Sequence, residues 1–268
     1  MVAASLQPTS ATLAEVRSVP LPEETKTYSP LGHWQLISIV SRLIMDLMDA
    51  EVQDAQYFLA NEGKRLFGML FLRNGSQVPG VDRMVGIRNS YDKHIAAAVA
   101  PGLSPEACKN IIVSGAAMSV IRKHTGKIVE DIEETLVISL YRAKGFFRDL
   151  EQDCLTMQDT QYTGRDAFGF FGQLYGEKVL APRQLPLVHQ DWHNPRHVEF
   201  EPRTLWSAYN CATEHLKGLE PGKILTAHTQ LHSIAMDIPA KPDLGDVAEY
   251  QRPGHLEGWK WMPLKGIY

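Results

Sequence analysis

The sequence predicts an α+β fold: an N-terminal helix plus an antiparallel β-sheet, followed by a mostly helical C-terminal half. Three observations carry this expectation. Apolar residues recur at helical spacing between His33 and Ala50. Two apolar runs then flank the short polar connection Asn61-Glu62-Gly63-Lys64, which is a hairpin signal. From Gly126 the pattern changes to steps of four and three that continue as far as Cys154.

Taken in order, residues 1–27 are rich in Ser, Thr, Pro and Glu and read as a flexible N-terminal arm. Residues 28–237 read as one α+β domain, sheet-rich over 28–125 and helical over 126–237. In its first helix Leu36, Ile37, Val40, Leu43, Ile44, Leu47 and Met48 share one buried face. Val52–Ala60 and Arg65–Arg73 read as strands. The second is apolar at both parities, so it is expected in the centre of the sheet with both faces covered. Asn74–Gly80 is a turn. Met84–Asn89 and Ile95–Val99 continue the sheet, and Met118–Lys123 closes it. Ile128, Ile132, Leu136, Leu140, Ala143, Phe147, Leu150 and Cys154 define a long helix, with Gly145 as its natural breaking point. Asp166–Tyr175 is a short helix and Ala181–Pro202 a proline-punctuated loop. Arg203–Leu216 and Lys223–Met236 are two further helices. The tail, 238–268, carries four prolines and Trp259-Lys260-Trp261; it covers either the core or a partner.

With 44% hydrophobic and 22% charged residues among 268, the composition is that of an ordinary folded protein. The net charge of -4 and pI near 6.2 exclude a histone-like duplex binder. They leave room for a single-strand binder, because ring stacking shares the work with charge there. Cys108, Cys154 and Cys211 are widely spaced and odd in number, which points to buried thiols in a reducing cytoplasm. No leader pattern opens the chain. Leu36–Met48 carries Arg42 and Asp46 and is too short to span a bilayer, so no membrane partner is expected.

Between Arg83 and Lys123 six Lys or Arg face two acids, on a chain that is acidic overall. Such a local basic site suits a polyanion held in one groove. The candidate nucleic-acid contacts are Arg83, Arg88, Asn89, Tyr91, Lys93, Lys109, Arg122, Lys123 and His124. The cations follow a phosphate backbone, and Tyr91 offers a ring to a base. Phe and Tyr residues of the first hairpin add a second platform. The competing reading is structural: Asn89, Ser90 and Asp92 cap a tight turn, and Arg88 pairs with an acid of the long helix.

Other chemistries are less well supported. His189, His193 and His197 recur every four residues, as do His228 and His232, a spacing that places two imidazoles on one helix face. Pro195 interrupts the first series, however, and no Glu follows His228 as a metalloprotease motif requires. No metal, cofactor or catalytic residue is therefore expected. Ser114-Gly115 is not a nucleophile elbow, and no P-loop or dinucleotide fingerprint occurs.

The motifs Arg88-Asn89-Ser90-Tyr91-Asp92-Lys93, Cys108-Lys109-Asn110, Ser114-Gly115 and Arg122-Lys123-His124-Thr125 together resemble a phage and plasmid family, domain-of-unknown-function 932. A second block is similar as well: Pro195-Arg196-His197, Phe200, Thr204-Leu205-Trp206-Ser207, Asn210, Thr213 and Glu214, then Leu231-His232 and Asp237. The resemblance spans roughly Tyr28 to Asp237. It implies a mobile-element origin, a bacterial host cytoplasm and no established activity. Lys109 stands where the family tends to have an acid, which favours an anionic ligand. The expectation is a phage single-stranded DNA-binding protein acting in replication, recombination or transcription. Its partners would be single-stranded DNA, a second copy of the chain, and RNA polymerase or a replication protein. The alternatives are a metal-dependent hydrolase or nuclease using the His-rich second half, and a host-takeover factor.

Overall fold

Leu66, Leu70 and Leu72 alternate with Phe67, Met69 and Phe71, and the two sets point to opposite sides of one strand. Each set meets its own core, so the strand is buried at every position. This strand lies inside a six-stranded antiparallel sheet whose strands follow sequence order. They are β1 (Thr9–Ala11), β2 (Val52–Ala60), β3 (Arg65–Leu72), β4 (Val81–Ser90), β5 (Ala97–Pro105) and β6 (Val120–Arg122). The helices are α1 (Leu13–Ser18), α2 (His33–Met48), α3 (Ile128–Asp159), α4 (Gly164–Gly176), α5 (Leu185–His193), α6 (Leu205–Glu214) and α7 (Pro221–Met236). The fold is α+β, as the sequence predicts. This computed structural model describes residues 8–73, 75–113, 120–124, 126 and 128–238. Ser114-Gly115, Thr125 and the tail beyond Ile238, with Trp259, Trp261 and Tyr268, lie outside the described residues.

Helices α2 and α3 cover one face of the sheet. Leu36, Val40 and Ile44 of α2 and Ile132, Leu136 and Leu140 of α3 share a core with Leu66, Leu70, Val85, Ile87 and Val99. The opposite face carries a smaller core, in which Phe67, Met69, Phe71, Met84 and Ala100 meet Ile111, Val113, Ile224 and Leu225. The β2–β3 hairpin turns through Asn61, Glu62 and Gly63, all at positive φ, a conformation that favours Asn and Gly.

Gly102 is where the chain crosses closest to the sheet. A Cβ there would stand 2.4 Å from the Ile112 carbonyl oxygen and 2.7 Å from Val113 Cγ1. Leu103 and Ile112 exchange both backbone bonds at 2.8 Å, so the crossing segment cannot easily retreat. Gly102→Ala should therefore lower stability by about 2 kcal/mol, or roughly 4–8 °C in midpoint for a chain of this size. Gly86→Ala would meet the end of the Leu225 side chain at 3.3 Å and the Ala100 carbonyl oxygen at an ordinary 3.6 Å, and should cost clearly less. Equal midpoints for the two variants would refute the crossing as a tight contact.

Four expectations need correction. The arm is ordered from Thr9 to Ser18: Thr12 and Glu15 form a reciprocal cap on α1, Val16 is buried, and Arg17 lies over the Trp34 ring. The loop 181–202 contains α5, because Pro186 occupies its first turn, where a missing N–H costs nothing. Strand β5 runs on through Pro101, which lies between the last residue paired with β6, Val99, and the Leu103–Ile112 bridge. Helix α3 continues through Gly145 for 32 residues, because Phe147, Leu150 and Cys154 keep its buried stripe in phase. Among the described residues no helix is long and apolar enough to cross a membrane. All three cysteines are free and buried.

Candidate nucleic-acid interface

The Arg88–Lys93 segment is a structural junction. Asn89 is fully buried; its Nδ2 donates to the Leu31 carbonyl at 2.7 Å and meets His33 Nδ1 at 3.0 Å. The Tyr91 ring stacks on His33 at 3.8 Å, and its hydroxyl accepts from the His33 N–H at 2.7 Å. His33 Nε2 reaches the Gly63 carbonyl, tying the start of α2 to the hairpin turn. Arg88 is buried and donates to the Gly222 carbonyl at 2.6 Å, at the start of α7. Asp92 is held by Asn61 at 2.7 Å and by Arg65 at 2.5 Å. Burial raises the Asp92 carboxyl, but the bonds from Arg65, the His94 N–H and Asn61 outweigh it and leave the group below its ordinary value. Ser90 and Asp92 do cap the turn, as the competing reading has it.

The remaining sequence candidates do not form one strip. Arg83, not Arg88, pairs with the long helix, donating to both carboxylate oxygens of Glu151 at 2.8 and 3.2 Å. His124 is buried beside Tyr28, and among the described residues its ring nitrogens have no hydrogen-bond partner; burial lowers its pKa, against the opposing pull of Asp92. Lys93 lies over the Tyr28 ring at 4.6 Å, and Lys123 is exposed. The Arg122 backbone belongs to β6; its side chain lies outside the described residues. Lys109 lies on the sheet face of Phe71, bonded to Asp82 at 2.8 Å and over the Phe71 ring at 4.6 Å, at the other end of β4 from Arg88. A basic strip built on buried Arg88, Asn89, Tyr91 and His124 is thus corrected: the first three spend their hydrogen bonds or a ring face inside the protein, and the His124 ring is enclosed beside Tyr28.

The other platform, in the first hairpin, is reached through Phe58. Phe58 and Phe67 are register partners across β2 and β3, and their rings stack at 6.3 Å and 29°. Phe67 is buried beneath, and Phe58 is half-buried. They line a groove of about 240 Å³ with Gln56, Met69, Cys108, Ile111 and Ile224. Lys109 and Lys217 stand on its wall. Lys217 donates at 2.7 Å to both the Cys108 carbonyl and Glu214, so neither ammonium is without a counter-charge. The groove is apolar with a few fixed polar groups, the composition of a site for a flat ring. Residue-by-residue reading missed Lys217, Met69 and Ile224, which come from α7, the turn before it, and β3.

Beside the groove the two motif blocks meet. Asn110 Nδ2 donates to Asn210, and Arg196 ties Asp191 to Glu214. Asp191 also meets His215 Nε2 at 2.8 Å. The cleft they line holds about 20 Å³, room for one water. Burial pushes the Cys108 thiol up to about 11 and Cys211 up to about 12, which makes both poor nucleophiles. Among the described residues no three His, Cys, Asp or Glu side chains converge as metal ligands. No family model, curated protein or solved structure matches the chain.

Proposed function

We propose that the protein binds single-stranded nucleic acid by taking a base into the groove over β2 and β3. The observation that carries this reading is the Phe58–Phe67 stack on a sheet face that helices leave partly open, with two lysines on one wall. An aromatic platform on a sheet suits splayed bases and cannot engage a stacked duplex. Both lysines already have carboxylate partners, so stacking contributes more than phosphate contact. Kinship with the phage and plasmid family, and a role in phage DNA metabolism, belong to the same proposal and rest on the motif residues alone.

Anisotropy of a labelled oligonucleotide tests it. Phe58→Ala should weaken binding roughly 5- to 150-fold, the equivalent of about 1–3 kcal/mol for one stacked base. The salt slope should stay shallow, at or below about 1.4 for two phosphate contacts. Duplex of the same sequence should compete poorly. Unchanged affinity in folded Phe58→Ala, or no binding by the wild type at low salt, would sink the reading.

A further inference from the structure

Two exposed imidazoles stand one turn apart on α5. The ring centroids of His189 and His193 are 4.7 Å apart. Phe168 of α4 lies nearly parallel to His189, at 4.5 Å and 15°, and is 5.9 Å from His193. That stack restricts how the His189 ring can turn. Among the described residues neither ring makes a hydrogen bond or ion pair. The other histidines of the second half are occupied or enclosed. His197 lies beyond the helix end and packs edge-on against Phe200. His215 is bonded to Asp191. His228 and His232 repeat the spacing but are buried, and His232 Nε2 meets Asp153 at 3.0 Å. Pro195 therefore removes only His197 from the series; the 189/193 pair survives on regular helix.

We propose that His189 and His193 together bind a divalent transition-metal ion from solvent. Imidazoles four residues apart on a helix can both reach one ion at about 2.0–2.1 Å. Nitrogen ligands favour copper, nickel and zinc, with copper the tightest in the general affinity order. Two protein ligands leave the remaining positions to water, so the ion exchanges freely and is distinct from a closed structural zinc.

Titration of the full chain with Cu2+ and, separately, Zn2+ tests the assignment, with calorimetry for affinity and electron paramagnetic resonance for the nitrogen ligands of copper. One ion per chain is expected, copper tighter than zinc, with two imidazole nitrogens in the copper spectrum. His189→Ala and His193→Ala should each weaken binding about tenfold or more, because either change destroys the chelate. His197→Ala should not. Both positions are exposed and accept Ala without a cavity; His189→Gln provides a second variant of similar size. Wild-type affinity in His189→Ala or His193→Ala, equal loss in His197→Ala, or no binding by the unaltered chain would each overturn the proposal.

Discussion

Arg65→Met should lower the stability of the protein by about 3–5 kcal/mol, the usual cost of leaving a buried charge without its partner. The Arg65 side chain is only 8% exposed, and its guanidinium sits between Asp92 and Glu220. Asp92 belongs to the turn after β4, and Glu220 immediately precedes α7. One cation therefore joins the first hairpin, the β4–β5 turn and the last helix. Removing it leaves two carboxylates facing each other, one of them 9% exposed. Urea denaturation at neutral pH measures the loss. Adding Asp92→Asn and Glu220→Gln to Arg65→Met should recover much of it, since the penalty comes from uncompensated charge. A loss below about 1 kcal/mol in the single variant, or no recovery in the triple variant, would show that the cluster is not what holds these elements together.

Acid should destabilise the protein well before its carboxylates titrate. Burial lowers the pKa of His33 to about 4, against an ordinary 6.5, and does the same to His228. Hydrogen bonding of His33 to Gly63 and the nearby Ile111 carbonyl at His228 only partly oppose this. The Ile111 carbonyl faces the His228 ring without hydrogen-bonding geometry, and among the described residues both ring nitrogens are unpartnered. Between pH 6.5 and about 4 the unfolded chain binds protons that the folded one refuses. The stabilisation is thus complete above pH 6.5 and is lost as pH falls toward 4. A depression of that size is worth about 3 kcal/mol per histidine, and two together give a slope of up to about 3 kcal/mol per pH unit. His124 adds to the same trend. Denaturation curves at intervals from pH 7.5 to 4 would measure the slope. His228→Leu should flatten it by nearly half and should not weaken the protein at pH 7, because it removes two unpartnered buried nitrogens. A flat profile between pH 6.5 and 4.5, or an unaltered slope in His228→Leu, would refute burial of neutral imidazoles.

These two predictions come from residues whose environment is invisible in one dimension. Arg65 and Glu220 are 155 positions apart. His33 and His228 look like any other histidine in the sequence. By contrast, the Phe58–Phe67 pair is implicit in the hairpin itself: a four-residue connection at 61–64 places Ala60 opposite Arg65 and so Phe58 opposite Phe67. The capping pair Thr12 and Glu15 was equally readable, and with it the order of the supposed arm.

Periodicity was enough to define α2, β2, β3 and α3 and the α+β class, because each element buries a stripe or face whose spacing is set by its own backbone geometry. Local steric rules also place the hairpin turn. Charge and motif density could not decide exposure. The Arg88–Lys93 motif is dense in polar groups because three elements are joined there, and backbone carbonyls, His33, Asn61 and Arg65 consume its hydrogen bonds. Lys109 lies away from that region, bonded to Asp82 at the other end of β4, since Gly102 admits the crossing segment that carries 108–113 over the sheet face of Phe71. Whether a cation meets solvent or a buried acid depends on contacts between residues far apart in the chain, and those exist only once both sheet faces have been covered.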